Sequence, residues 1–336
     1  RPHKSFIKRL GFRRSMDTII ERRRFRVPTD LDDGVMSEFG DFIQPFQIED
    51  LGLMGRIVRL DVALASAFAR QNYPIEVASL LAEAMALTAS LSGIIKFDGI
   101  FTLQTQSDGP VNLLMSDITS DGDIRGYARF DVEAVELASV RSGSTVPKFL
   151  GAGHLALTID QGQDTERYQG IVELTGSSIS DCAQAYFKNS EQLETAIIVV
   201  SEIEADEMPR AAALMIQRMP GEDERSIVRD DEVEDEAWHR AVALMSSIKA
   251  EELLSEELSV SQILYRLYHE DGVRVYAQKP VQHTCRCSYE KVSSTLSSFP
   301  RDEIEDMSED GAVTVTCEFC KTDYRFAKED VANLFD

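Results

Sequence analysis

The chain has 336 residues, 43% of them hydrophobic, and a formal net charge of −23. That length exceeds one ordinary domain, and the apolar fraction suffices for a sizeable core with at least one smaller unit beside it. Charge of this sign excludes a broad electrostatic grip on nucleic-acid phosphates or an anionic membrane. No run approaches the roughly 18 consecutive apolar residues of a membrane span, since the most apolar segment, around Val77 to Ile95, is interrupted by Glu83.

The charge is unevenly distributed. Arg1 to Pro28 hold ten Arg and Lys against two acids, a net +8, which leaves −31 for the rest. Residues 1–40 therefore read as a basic leader without a fixed fold: a tail, an organelle-targeting segment, or upstream sequence not translated as part of the mature protein. They lack the apolar stretch of a secretory signal. The expected location is the cytoplasm or, if the leader is a transit peptide, an organelle. In a reducing compartment cysteines bind metal or do redox chemistry more often than they form permanent disulfides.

Structured sequence is expected from about Asp41, with a short strand at Arg56 to Leu60. Between Ile75 and Ile95, Val77, Leu80, Leu81, Ala84, Leu87 and Leu91 recur at steps of three and four, the buried face of a helix. The period then changes to two. Phe101, Leu103 and Thr105 alternate with polar residues, a Ser107-Asp108-Gly109-Pro110 turn follows, and Val111, Leu113 and Met115 alternate again, which predicts a hairpin. A second turn at Ser120 to Asp123 leads to a strand at Ile124 to Phe130. Leu155 to Ile159 and Tyr168 to Leu174 continue the strand pattern. A helix over Ser180 to Glu191 precedes Ala196 to Val200, whose continuous Ile-Ile-Val-Val run suits a buried strand.

From Ser201 to Glu257 there are 17 acidic against 6 basic residues, including the run Asp230 to Glu236, which reads as a linker. Within it Trp238, Val242, Met245 and Ile248 fall at helical steps, a stripe too short to be stable alone. Such a segment folds by docking on a neighbour and is released when docking weakens.

Five cysteines are present, and four of them form C-x-C at Cys285 and Cys287, then 29 residues, then C-x-x-C at Cys317 and Cys320. Paired thiolates at this spacing suit a tetrahedral zinc site, because one turn can present two sulfurs to the same ion. A helix at Tyr289 to Ser298 and a strand at Val313 to Thr316 are expected between the pairs, and Cys317 to Lys321 resembles a zinc-ribbon knuckle. A unit of about residues 279–336 is small enough to need a metal for stability. Coordination keeps thiols deprotonated, and thiolates are what oxidants attack. Cys182 reads as packing, and His283 is a spare ligand candidate beside an already complete set of four.

These cysteines, together with Phe101-Thr102-Leu103-Gln104-Thr105, Asp108-Gly109-Pro110, Arg125-Gly126-Tyr127-Ala128, Tyr168-Gln169-Gly170 and Ser190-Glu191-Gln192, resemble the redox-regulated holdase chaperones of the 33-kDa heat-shock protein family. The resemblance runs from about Asp41 to the C-terminus and omits the leader. It implies one Zn(2+) per chain on Cys285, Cys287, Cys317 and Cys320, and a reduced form that is inactive. Oxidation would join Cys285 to Cys287 and Cys317 to Cys320, release zinc, and expose a surface for unfolded or oxidatively damaged client proteins without ATP. The oxidised form would be a homodimer.

The expected fold class is α+β: a mixed helix and antiparallel-sheet N-terminal domain (41–222), which the resemblance makes the client-binding domain, a helical metastable acidic linker (223–278), and a small C-terminal zinc-binding domain (279–336). Two other readings compete. A zinc-ribbon interaction module directed at nucleic acid lacks a basic face, since Asp302, Glu303, Glu305, Asp306, Glu309 and Asp310 all lie in the zinc segment. A thiol-disulfide oxidoreductase would place C-x-x-C at a helix start after a strand, without a companion pair. No G-x-S-x-G, H-E-x-x-H or Walker sequence is present, so no catalytic residue is nominated, no enzyme activity is expected, and neither nucleic acid nor membrane is an expected partner.

Overall fold

The computed structural model describes residues 39–94, 97–162, 165, 167–218, 231–308 and 312–335. The expectations for residues 1–38, for 219–230 and for Glu309 and Asp310 lie outside these residues, whereas Phe39, which the sequence placed in a leader without a fixed fold, is fully buried, with the Arg59 guanidinium 4.7 Å from its ring centre. In chain order the strands are β1 Phe42–Ile48, β2 Leu53–Leu60, β3 Ile100–Ser107, β4 Val111–Thr119, β5 Asp123–Phe130, β6 Gly153–Asp160 and β7 Tyr168–Glu173. They continue with β8 Thr195–Glu202, β9 Arg210–Arg218, β10 Val273–Val275, β11 Lys279–Pro280, β12 Gln282–His283, β13 Ala312–Thr316 and β14 Asp323–Ala327. The helices are α1 Val62–Phe68, α2 Ile75–Leu91, α3 Val132–Ser139, α4 Ile179–Tyr186, α5 Asp231–Met245, α6 Ala250–Leu253, α7 Val260–Tyr268, α8 Tyr289–Leu296, α9 Arg301–Asp306 and α10 Lys328–Asn333. Among the described residues no helix is long and apolar enough to cross a membrane.

Helix α2 lies between two mainly antiparallel sheets. One runs β10-β1-β2-β9-β8, with β11 also on β1, and the other runs β12-β5-β4-β3-β6-β7. The predicted face of α2 is buried throughout, and Ala78, Ala82, Met85, Ala86 and Ala89 are buried as well. A helix enclosed by two sheets has no solvent face, and its small alanines let both sheets approach closely. Its core joins Val58, Ala213 and Met215 of the first sheet to Leu103, Leu114 and Leu155 of the second.

The other face of the first sheet carries a second core. Phe46, Leu53, Ile57, Leu214 and Ile216 pack there against Trp238, Met245, Leu253, Ile263, Leu264 and Tyr268 from α5, α6 and α7. The predicted stripe therefore docks: Trp238 and Met245 are buried, and Val242 and Ile248 are partly buried against them. Tyr268 is fully buried, and its hydroxyl donates to Ala241 O at 3.2 Å.

The reading of the acidic segment needs correction. The acidic segment Ser201 to Glu257 is not linker at its start, because it contains β9, whose residues Ala211 to Ile216 are all fully buried between β2 and β8. Charge averaged over the whole segment concealed a nine-residue strand with helices over both faces. Strand β8 has the same character, with Ile197 and Val199 in one core and Ala196, Ile198 and Val200 in the other. It is nonetheless the edge of its sheet, so several of these residues are only half-buried.

Candidate metal centre

The second sheet positions the first cysteine pair. Strand β12 adds in parallel to β5, with Gln282 opposite Asp123 and His283 opposite Ile124. Thr284 N then donates to Ile124 O at 3.1 Å. The turn before β5 makes room for this addition. Gly122 has φ +97°, and a Cβ there would lie 2.3 Å from Pro280 O, so only glycine fits. The second pair sits on the turn of the β13–β14 hairpin, where Cys317 N donates to Thr322 O at 2.9 Å and Lys321 N to Cys317 O at 2.8 Å.

These two turns bring the four thiols together. All four Sγ atoms lie within 4.8 Å of one another, with Cys285–Cys287 at 3.3 Å, Cys285–Cys317 at 3.7 Å and Cys287–Cys320 at 3.4 Å. None is bonded to another. Four sulfurs at about 2.3 Å from a tetrahedral zinc stand about 3.8 Å apart, so the donor set fits that ion. His283 lies outside this set, and Cys182 is buried in α4 as packing.

The thiols are not equivalent. Burial pushes Cys287 up to about 12 even though the Tyr324 hydroxyl donates to its sulfur at 3.1 Å. Burial also opposes ionisation of Cys320, but hydrogen bonding with Thr322, Cys287 and Cys285 outweighs it and holds that thiol at about 6. Beneath the cluster a small core of Leu296, Ile304, Val313, Phe326 and Val331 supports the hairpin, with Tyr289 stacked on Phe326 at 4.5 Å.

A residue inside each cysteine pair reaches the second sheet. Arg286, between Cys285 and Cys287, donates to the buried Asp117 carboxylate and, at 3.2 Å, to Asp123 O. Arg125 holds Asp117 from the other side through Nε, at 3.1 Å from both oxygens. Phe319, between Cys317 and Cys320, lies under the Arg125 guanidinium at 3.8 Å and edge-on to Tyr127 at 4.7 Å. Gln71 donates to Glu318 O at 2.9 Å and to Phe319 O at 3.0 Å. Asp117, Arg286 and Phe319 were not singled out in the sequence. Position was the available signal for Arg286 and Phe319, which lie inside the cysteine motifs, whereas nothing local marks Asp117, whose partner Arg125 opens one of the blocks that carry the resemblance.

Comparison with known proteins identifies the family and the fold. The family model described as Hsp33 protein matches residues 41–327. The protein named 33 kDa chaperonin from Caulobacter vibrioides is 38% identical over 301 residues, covering 88% of this chain and 96% of that one. Its namesake from Azotobacter vinelandii is 38% identical over 302 residues, with 89% and 96% covered. The crystal structure of the 33 kDa chaperonin from Thermotoga maritima has the same fold, with a TM-score of 0.71 at 21% identity over 88% of this chain and 97% of that one. A match of this extent to the family model, and to relatives along nearly their whole length, establishes that the chain belongs to the Hsp33 protein family of 33 kDa chaperonins.

Proposed function

We propose that the protein is a redox-regulated, ATP-independent holdase, inactive while reduced and switched on by oxidation of its zinc-bound cysteines. The reading divides the chain as the sequence suggested, into an N-terminal client-binding domain (41–222), a metastable linker (223–278) and a zinc-binding switch (279–336), working in the cytoplasm. The observation that carries it is the docking arrangement: the turn residues Arg286 and Phe319, each enclosed by a cysteine pair, are the ones that grip Asp117, Arg125 and Tyr127. Any change in the cysteine turns therefore acts directly on the contact with the second sheet.

Cys285, Cys287, Cys317 and Cys320 would hold one Zn(2+) per chain, which keeps the sulfurs as thiolates and ties the two turns together. In the switching step each thiolate pair, Cys285 with Cys287 and Cys317 with Cys320, would give up two electrons to one hydrogen peroxide and form one S–S bond, while the peroxide O–O bond breaks and its two oxygens, taking up two protons from solvent, leave as two waters. Two neutral disulfides replace four thiolates, so the ion is lost and the small core beneath it no longer stays folded. Arg286 and Phe319 then leave Asp117 and Arg125. Residues 273–283 supply β10, β11 and β12 to the two sheets, and their departure would loosen α5 to α7 and uncover the apolar face of β1, β2 and β9. Exposed apolar surface binds unfolded chains, and the acidic surface keeps the complexes dispersed. A homodimer in the oxidised state is part of this reading.

The C-x-x-C pair sits on a hairpin turn between β13 and β14, and the first pair follows a short strand, which does not suit a thiol-disulfide oxidoreductase. The deciding experiment titrates reduced protein with peroxide, measuring zinc released per chain and suppression of client aggregation in the same samples. The expected result is one zinc per reduced chain, lost in step with the gain of activity. Activity independent of zinc loss, or no zinc at all, would falsify the proposal.

A further inference from the structure

Three of the sequence blocks named above take no part in the cysteine site. Phe101 to Thr105, Tyr168 to Gly170 and Ser190 to Gln192 converge instead on a cavity of about 300 Å³, lined by Phe101, Tyr168 and Glu191 together with Phe97, Leu157 and Phe187. The cavity opens to solvent, and its walls are mostly apolar. It falls at the lower end of the range of small-ligand sites, which are mostly apolar with a few converging polar groups.

The polar groups here converge on one carboxylate. Tyr168 and Tyr186 both donate to Glu191 Oε1, and their hydroxyls lie 2.9 Å apart. Gly170 makes this possible, since a Cβ there would lie 2.2 Å from the Tyr186 hydroxyl. Tyr186 is buried and Tyr168 is 46% exposed, so the cluster runs from the interior to the mouth. Glu191 Oε2 has no hydrogen-bond partner among the described residues. The cations adjacent in sequence are already paired, Lys188 with Glu194 at 3.6 Å and Arg167 with Asp160. The cavity therefore offers a preset carboxylate with one oxygen to spare, beside two phenol rings and above a hydrocarbon pocket. That combination favours a cation with an apolar body, and the net −31 outside the leader enriches cations near the surface.

We infer that this cavity is a binding site for a small apolar amine, a single aromatic ring or a branched hydrocarbon of similar size with one ammonium group. The hydrocarbon lies among Phe101, Leu157 and Phe187, and the ammonium meets Glu191 Oε2. No residue of the 279–336 segment lines the cavity, so failure of this inference leaves the redox reading untouched, and the reverse holds as well.

The test is calorimetric titration of the full reduced chain with 2-phenylethylamine, and with 2-phenylethanol and 3-phenylpropionate as the neutral and anionic counterparts. Saturable one-to-one binding of the amine is expected, with the alcohol about tenfold weaker and the anion weaker still. Glu191→Gln lowers amine affinity about tenfold and leaves the alcohol within about twofold. Ser92→Phe, which adds bulk at the lining, abolishes binding of both. Equal affinity for amine and alcohol overturns the inference, as does binding that survives Ser92→Phe, or no saturable heat at millimolar amine. The comparison of three probes on the unaltered chain decides the matter even if Glu191→Gln does not fold.

Discussion

Arg286 and Arg125 hold the Asp117 carboxylate between them, the first from the small C-terminal unit and the second from β5, and Asp117 is only 2% exposed. A buried carboxylate with two guanidinium partners keeps one when the other is removed. Arg286→Ala should therefore cost about 1–3 kcal/mol of docking, the range of a charge-assisted hydrogen bond, and less than the roughly 3–5 kcal/mol of an orphaned buried charge. The expected outcome is a reduced protein in which amides of 279–335 exchange faster and aggregation suppression is partly present without oxidant. Arg286→Lys should restore it incompletely, because an ammonium cannot reproduce the two-sided contact to Asp117 and Asp123 O. If reduced Arg286→Ala is as protected and as inactive as the parent, this contact is not the coupling.

Metal removal should unfold the small unit first, with any loosening of α5 to α7 following from it. Five buried residues, Leu296, Ile304, Val313, Phe326 and Val331, form its core. A core this small rarely supplies more than about 3–5 kcal/mol. Chelation of the reduced protein should unfold the segment from Cys285 to Phe335 while α2 and the strands around it keep their slow exchange. Hydrogen exchange followed by mass spectrometry separates the two regions. Retention of protection at Val313 and Phe326 after chelation would show that the hairpin folds without metal.

The helix α2, the β3–β4 hairpin and the cysteine quartet were legible because each follows from a local rule: a helical step, a two-residue alternation around a Gly-Pro turn, and paired ligand spacing. What was not legible depends on contacts distant in sequence. Strand β9 disappeared into an acidic average, since charge composition does not register Ala211 to Ile216 as a buried run. The pairing of Arg286 with Asp117 joins residues 169 positions apart, and no period or spacing encodes it. The short strands β10, β11 and β12 likewise exist only because β1 and β5 offer them an edge. The Tyr168, Tyr186 and Glu191 cluster was half legible, as two of the three lie in blocks already singled out.

Helices α5 to α7 should come off before the sheet they cover. Ile263 and Leu264 project from α7 into the second core and are almost wholly buried. Leu264→Ala should cost about 2–5 kcal/mol, and because α5 to α7 depend on that core, the loss should appear as local release. Trp238, 8% exposed in the parent, should then show red-shifted emission in the reduced, zinc-loaded variant. A variant destabilised overall but with unshifted emission would mean that the helices and the sheet unfold as one unit.

A pH effect is expected far from the metal centre. Burial pushes Glu83 on α2 up to about 7, although the Ser201 hydroxyl donates to it at 3.2 Å. The fold thus favours the protonated carboxyl, while the unfolded chain ionises near the usual value of about 4.3. Stability from this group is fully present below the unfolded value and is lost as pH rises through about 7. Glu83→Gln, which keeps an acceptor for Ser201, should match the parent near pH 4.5 and exceed it by a few kcal/mol at most above pH 7.5. Urea unfolding of the reduced protein across this range measures the difference. Parallel pH profiles for the two proteins would mean that Glu83 is ionised in the fold at no cost, with Ser201 and water offsetting its burial.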